Sequence, residues 1–137
     1  MSEEIEKLPA SWLVAQLGDV VNYGKAEKAQ PSGIEPDTCV LELEDVQRDT
    51  SRVLQRLTFA SRQSKSAKNK FEKDDVLYGK LRPYLNKVVH ADAAGVCTTE
   101  IVPLRPNPAI LGRYLFYWLR HPVFLDYVTE VSHGLDM

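Results

Sequence analysis

The sequence predicts an α+β fold in which a C-terminal helix pair packs on a mixed, twisted β-sheet within a single domain. Two observations lead to it. Short segments of alternating or β-branched apolar residues recur before residue 105, and residues 110–131 change to helical spacing. Strands followed by helices are typical of the α+β class. With 137 residues, 44% of them apolar, the chain can bury a core of ordinary size.

Six segments are predicted to be strands, because their side chains alternate or are rich in β-branched residues. They are residues 12–17, 38–43, 54–59, 75–78, 86–90 and 96–104. Residues 22–37 carry Gly24, Pro31, Gly33 and Pro36 and are predicted to be a loop. Residues 61–69 are nearly all polar and are predicted to be an exposed loop, and residues 79–84 a turn.

Two helices are predicted near the C-terminus, separated by the His121-Pro122 pair, which interrupts helical geometry. Their apolar residues are Ile110, Leu111, Tyr114, Leu115, Trp118 and Leu119 in the first helix, and Val123, Phe124, Tyr127, Val128 and Val131 in the second. Residues 1–8 are predicted to be a flexible lead, so the folded domain is expected to comprise residues 9–137.

A basic run dominates the middle of the chain. Residues 61–87 contain eight basic and three acidic residues, a local charge of +5 in a chain whose formal net charge is −2. Such a concentration in an acidic protein indicates a surface that meets a polyanion. The eight cations are Arg62, Lys65, Lys68, Lys70, Lys73, Lys80, Arg82 and Lys87.

The run ends in YGKLRPY, where Gly79 permits close backbone approach and lies beside Lys80 and Arg82. Tyr78 and Tyr84 bracket this pair with hydroxyl groups that can reach phosphates. Arginine commonly binds guanine in bidentate fashion, and lysine binds phosphate as a point charge. The sequence therefore predicts contact with nucleic acid.

Catalytic and cofactor motifs are absent from the sequence. His90, His121 and His133 lack metal-ligand spacing, and no phosphate-binding loop or nucleophile elbow occurs. Cys39 and Cys97 lie in predicted strands and are expected to be inert buried thiols. We therefore predict a protein that is not an enzyme and has no cofactor or metal.

Two alternatives remain open. The first is a Mg²⁺-dependent nuclease that uses Glu72, Asp74 or Asp75, because such sites gather carboxylates around the metal. The second is a protein-interaction module that binds a partner through the aromatic helix face around Tyr114, Trp118 and Tyr127. The sequence contains no stretch of 18 apolar residues that could span a membrane, and no apolar signal segment at its start. Both observations predict a cytoplasmic protein without a membrane partner.

Five blocks of sequence occur in an order that is informative. They are LPASWLVAQLGDVV, FEKDDVLYGKLRPYLNKV, ADAAGVCTTEIVPLRP, YLFYWLRHPVF and VSHGLDM. Together they resemble the target recognition domain of the specificity (S) subunit of type I restriction–modification systems, over roughly residues 8–137. The resemblance implies a domain that reads one half of a bipartite target in the major groove of double-stranded DNA. It also implies partner methyltransferase (M) and motor/nuclease (R) subunits, which carry the catalysis.

Carried over by position, the resemblance places Lys80, Arg82, Tyr84, Asn86 and Lys87 near the DNA, with the loops at 22–37 and 61–69 contacting bases. The complete set of expected DNA-binding residues is Arg62, Lys65, Lys68, Lys70, Lys73, Tyr78, Lys80, Arg82, Tyr84, Asn86 and Lys87. Trp12, Gly18, Gly95 and Glu100 are expected to serve the fold.

The family continues beyond the last block with further strands and a spacer helix. The recognition domain at residues 9–137 is therefore expected to be C-terminally incomplete. An apolar edge left uncovered in this way would favour self-association.

Overall fold

The computed structural model describes residues 26–106 and 112–135. The predicted flexible lead, the first predicted strand, Trp12 and Gly18 lie outside the described residues. Within them, no helix is long and apolar enough to cross a membrane.

Two β-sheets form the centre of the fold. In the five-stranded sheet β2 and β7 run parallel and the other neighbours antiparallel, so the sheet is mixed; the three-stranded sheet is antiparallel. The five-stranded sheet has the order β1 (Lys28–Ala29), β4 (Lys68–Phe71), β7 (Gly95–Cys97), β2 (Cys39–Leu41) and β3 (Leu57–Thr58). The three-stranded sheet has the order β6 (Val88–His90), β5 (Val76–Gly79) and β8 (Ile101–Leu104).

The alternation of side chains along β5 and β6 gives each strand two buried faces. Leu77 and Val89 face the five-stranded sheet and pack in one cluster with Leu41 and Cys97. The opposite faces of the same strands are covered by helices. Both faces are therefore apolar, which explains why these strands read as nearly continuous hydrophobic segments.

The predicted C-terminal helix pair is present as α2 (Gly112–Arg120) and α3 (Pro122–Leu135), and a short helix α1 (Phe59–Arg62) precedes them. Leu115 and Leu119 of α2 are buried against Val76 and Val88, and Phe124 of α3 packs beside them. The α+β class with a mixed sheet and a C-terminal helix pair is thus confirmed. The helices pack on the antiparallel three-stranded sheet rather than on the mixed sheet.

The break between the helices occurs at the predicted place. Pro122 begins α3, and the Val123 N–H donates to His121 Nδ1 at 3.1 Å, so the histidine side chain caps the helix. The helix then continues through Gly134.

Several predicted elements are wrong in detail. Residues 96–104 are two strands in different sheets, because a turn at Thr98, closed by the Ile101 N–H at 3.0 Å, carries the chain from β7 to β8. Residues 61–69 are not an exposed loop, since the segment begins in α1 and ends in β4, where Lys68 and Asn69 are buried.

The predicted strand at 54–59 also shortens to β3, because the Thr58 side chain accepts the Ser61 N–H and starts α1. The described part of the predicted loop at 22–37 contains β1 and a 3₁₀ turn at Pro31–Gly33. Gly95 has the expected role in the fold, because a Cβ there would lie 2.9 Å from the Phe71 ring and 3.0 Å from the Cys39 carbonyl oxygen.

The buried thiol of Cys97 makes stability depend on alkaline pH. Burial raises the pKa of Cys97 from its ordinary value of 9.0 to about 12. Above pH 9 the unfolded chain therefore releases a proton that the folded chain retains, and unfolding becomes more favourable as pH rises. In urea titrations above pH 9, the free energy of unfolding of wild type should fall by up to about 1.4 kcal/mol per pH unit more than that of Cys97→Ala. Below pH 8 the two stability profiles should run parallel, and parallel profiles up to pH 11 would contradict this account.

Candidate nucleic-acid interface

Two loops meet at the end of β5. The first is the hairpin loop, residues 47–52, which is closed by pairing of Val46 with Val53. The second is the β5–β6 turn, residues 80–87, which contains a 3₁₀ turn at Pro83–Leu85. Together these two segments are called the loop pair.

Backbone contacts join the tips of the loop pair. The Asp49 N–H donates to the carbonyl oxygens of Leu85 at 3.2 Å and Asn86 at 3.3 Å. The Asp49 carbonyl in turn accepts from Arg120 Nη2 of α2 at 2.8 Å. One residue of the hairpin loop is therefore held by both the β5–β6 turn and the helix layer.

A second set of contacts joins the bases of the loops. Lys87 Nζ donates to the Leu43 carbonyl at 2.8 Å, immediately before the hairpin. Gly79 lies against the same segment, because an added Cβ would be 3.0 Å from Leu43 Cδ2 and 3.1 Å from the Lys87 carbonyl oxygen. The close approach predicted at Gly79 is thus made by the protein's own Leu43 and Lys87.

A buried ion pair supports the hairpin from beneath. Asp45 is fully buried, and one of its carboxylate oxygens accepts from Arg62 Nη2 and from the Glu42 N–H. The other oxygen accepts from Gln55 Nε2 at 2.8 Å, and the Asp45 carbonyl accepts from the Leu54 N–H. Every oxygen of this aspartate is engaged with the segments that flank the hairpin loop.

The loop pair concentrates backbone strain. Of six non-glycine residues with positive φ in the described part of the chain, four lie here. A left-handed conformation costs such residues on the order of 1–3 kcal/mol each, and it persists only where the surrounding structure enforces it. The four are Asp49 at 64°, Ser51 at 60°, Arg82 at 52° and Asn86 at 53°.

The outer surface of the loop pair is basic. Arg48, Arg52, Lys80 and Arg82 are all exposed, and Asp49 is the acid among them. Leu81 and Tyr84 of the β5–β6 turn are also exposed, at 48% and 40%. Fixed backbones thus present cations and an aromatic ring to solvent, a combination suited to phosphate and base contacts.

The structure divides the eleven predicted residues into three groups. Lys80, Arg82 and Tyr84 are exposed on the loop pair. Lys70 and Lys73 are exposed beyond the other end of β5, where Lys70 pairs with Glu27 at 3.4 Å, and Lys65 is exposed in the loop before β4. The remaining five are held within the protein: Arg62, Lys68, Tyr78, Asn86 and Lys87.

Two of that last group are deeply buried. Lys68 is 2% exposed and donates to Ser66 Oγ at 2.7 Å. Asn86 is 8% exposed, and its buried Oδ1 has no hydrogen-bond partner among the described residues. Tyr78 faces the helices, with its ring centroid 6.1 Å from that of Phe124. The basic run of the sequence therefore does not fold into one basic surface.

The hairpin loop is the part that sequence reasoning missed. Its polar sequence QRDTSR lies between Val46 and Val53, and Asp and Ser tolerate the left-handed conformation that such a loop needs. The polar loop sequence is visible, but one valine on each side does not form the alternating pattern that predicts paired strands.

The carboxylates of the nuclease alternative lie elsewhere, and two of them, Glu72 and Asp75, line an open cleft of about 770 Å³. Asp75 accepts from Arg105 Nε at 3.1 Å and Nη2 at 3.2 Å, and this hydrogen bond raises the pKa of Arg105. Glu72 also pairs with Arg105, and Asp74 lies 3.4 Å from His90. Among the described residues, no group of three or more His, Cys, Asp or Glu side chains could hold a metal ion.

Comparison with known proteins gives no matching protein-family profile. Over 131 residues, 96% of the chain, the sequence is 27% identical to the type I restriction enzyme EcoDI specificity subunit of Escherichia coli. The predicted resemblance to a specificity subunit is confirmed. The chain spans 29% of that relative's length.

Solved structures share the fold. A chain from a study of complex assembly and conformational transition in the type I R-M system superposes with a TM-score of 0.64 at 19% identity, covering 76% of this chain and 28% of that chain. The HsdS subunit from Thermoanaerobacter tengcongensis superposes with a TM-score of 0.61 at 17% identity, covering 75% of this chain and 27% of that chain. The α+β domain is thus the fold found within specificity subunits.

Removing Arg62 should destabilise the fold severely, because it leaves the Asp45 carboxylate buried without its cation. We expect Arg62→Met to lower the free energy of unfolding by about 3–5 kcal/mol in urea titrations. Arg56→Met is the matched control, since the Arg56–Asp92 pair is exposed, at 54% and 69%, and should cost less than about 1 kcal/mol. Equal losses in the two variants would show that the buried pair does not support the hairpin.

Proposed function

We propose that this chain binds double-stranded DNA sequence-specifically as the target-recognition part of a type I restriction–modification specificity subunit. It reads one half of a bipartite site and directs methyltransferase and motor/nuclease subunits to it. The chain itself supplies no catalysis, and it acts in the cytoplasm, where DNA and partner subunits are available.

The loop pair is the single observation that carries this proposal. It places four exposed cations on two loops that are joined through the Asp49 N–H and held in place by hydrogen bonds from Arg120 and Lys87 to backbone carbonyls. Binding to DNA loses less conformational entropy when the contacting loops are already fixed. Cations on a fixed frame set the register on the phosphate backbone, which base reading requires.

The likeness to specificity subunits supports the same conclusion from a different direction. The match covers nearly the whole chain, and the two solved neighbours come from the same type of system. A subunit that confers specificity on partner enzymes needs a DNA-reading surface and no active site of its own. The occupied carboxylates around Arg105 agree with that expectation and give the nuclease alternative no support.

A partner-binding face is the second part of the proposal. Tyr114 and Tyr117 of α2 are 54% and 59% exposed beside the exposed Arg113. Tyrosine and arginine are the residues that dominate binding energy at protein interfaces. This face lies on the helix layer and leaves the basic surface of the loop pair for DNA.

DNA affinity should fall steeply as the salt concentration rises. For each phosphate contact, log Kd should increase by about 0.9 for each tenfold increase in salt. The double reversal Lys80→Glu/Arg82→Glu should weaken binding to any duplex and reduce this slope by about 2, because two contacts are removed. Fluorescence anisotropy with a labelled duplex between about 50 and 200 mM salt gives both quantities.

The matched control is Lys70→Glu/Lys73→Glu, which makes the same charge change at the other end of β5. It should alter the slope little. Equal losses from both double variants would mean that the whole basic run contacts DNA, as the sequence alone suggested. A wild-type affinity that does not respond to salt would end the DNA-binding proposal.

The aromatic face of Tyr114 and Tyr117 should contribute to binding of the methyltransferase subunit and not to binding of DNA. Tyr114→Ala/Tyr117→Ala should lower affinity for the methyltransferase subunit of the same host by more than tenfold in pull-down or calorimetry, because buried tyrosines contribute at hot spots. The DNA affinity of this double variant should equal that of wild type. Unchanged subunit affinity would remove this face from the interface.

A further inference from the structure

We propose that Arg48, at the tip of the hairpin loop, is the residue that determines specificity for a guanine in the target. This inference rests on the proposed function and deepens it. The expected base-reading loops are 22–37 and 61–69. Residues 61–69 are occupied by the end of α1, by buried Lys68 and by Arg62, which is paired with Asp45. The described part of the other loop carries Glu27, Glu35 and Asp37 against Lys28 and lines the cleft beside Asp75, so we assign base reading to the hairpin loop.

The exposure of Arg48 on a fixed loop carries the inference. Its Nε lies 3.4 Å from Asp49 Oδ2, and the side chain is 61% exposed. Its two terminal nitrogens make no hydrogen bond within the described part of the chain, so they are available as a bidentate donor pair. Guanine O6 and N7 accept such a pair in the major groove.

The backbone beneath Arg48 is fixed in a way that a reading residue needs. Asp49 is bound through its N–H to the β5–β6 turn and through its carbonyl to Arg120. Thr50 Oγ1 donates to Gln47 Oε1 at 3.0 Å and accepts the Arg52 N–H at 3.2 Å, which closes the loop around Arg48. The major groove of B-DNA admits a two-stranded β-ribbon, and the loop closed by Val46 and Val53 can enter it in the same way.

Lys80 and Arg82 have a different role on this surface. Both lie in the β5–β6 turn, and the Lys80 N–H donates to the Glu100 carbonyl oxygen at 3.1 Å. We assign their exposed charges to contacts with phosphates beside the groove. In this proposal the β5–β6 turn positions the protein on the DNA backbone, and Arg48 reads the guanine base.

The test separates charge from geometry at Arg48. Wild type, Arg48→Lys and Lys80→Ala are each used to select duplexes from a randomised pool, and affinities for the enriched duplex are measured. Arg48→Lys keeps the charge but loses the planar fork, so it should lose preference at one guanine position by about 5- to 150-fold. Its affinity for unselected DNA should stay within about twofold, because the phosphate contacts are unchanged.

Lys80→Ala is the matched control, since it removes one cation from the same surface. It should bind all duplexes more weakly and enrich the wild-type motif. Arg48→Lys that retains the full wild-type motif overturns the inference while leaving DNA reading intact. Wild-type protein that enriches no motif overturns the proposed function together with it. Circular dichroism melts confirm that each variant is folded.

Discussion

The buried pair of Asp45 and Arg62 is the contact on which the loop pair depends. One carboxylate oxygen of Asp45 binds Arg62 and the Glu42 N–H, and the other oxygen and the carbonyl bind the adjacent residues Gln55 and Leu54. The aspartate therefore ties both flanks of the hairpin to α1 and fixes where the hairpin leaves the core. Arg62 also donates to the Val40 carbonyl, which ties α1 to the five-stranded sheet. A buried ion pair adds little net stability over apolar packing, but its hydrogen-bond geometry specifies one arrangement. Here that arrangement places Asp49 within reach of the β5–β6 turn.

The two sheets give the domain distinct ends. Strand β5 has an ion pair at its start, between buried Asp75 and half-exposed Arg105, and the loop pair after its last residue, Gly79. Because both faces of β5 are packed, neither end can shift without disturbing the core. The rigid strand therefore carries the exposed turn that holds Lys80 and Arg82, and the strain stored in left-handed residues persists because the core enforces it.

Local signals in the sequence were sufficient for some elements. Neighbouring residues alone were enough to predict the apolar period of α2, the break at Pro122 and the strand that ends at Gly79, β5. The structure contains all three. The division of residues 96–104 could not be predicted, because the chain changes sheets within an unbroken apolar stretch. That choice is set by the partner strands β2 and β5, which are distant in sequence.

The candidate site shows the same limit of local information. A run of basic residues in sequence need not form a surface: Arg62 and Lys68 turn inward because Asp45 and the packing of β4 accept them. Arg48 lies outside the run and carries no motif, yet its neighbour Asp49 is hydrogen bonded to the β5–β6 turn that carries Lys80 and Arg82. Charge density along the chain therefore suggests a kind of ligand, but it does not predict which cations are exposed to meet it.

Hydrogen–deuterium exchange of the full chain with and without a tightly binding duplex tests the central claim most directly. Residues 47–52 and 80–87 should gain protection on DNA binding, while residues 65–75 and the acidic cleft around Arg105 should exchange at the same rate in both samples. Protection concentrated in residues 65–75, with the loop pair unchanged, would contradict the account and return the DNA interface to the basic run of the sequence.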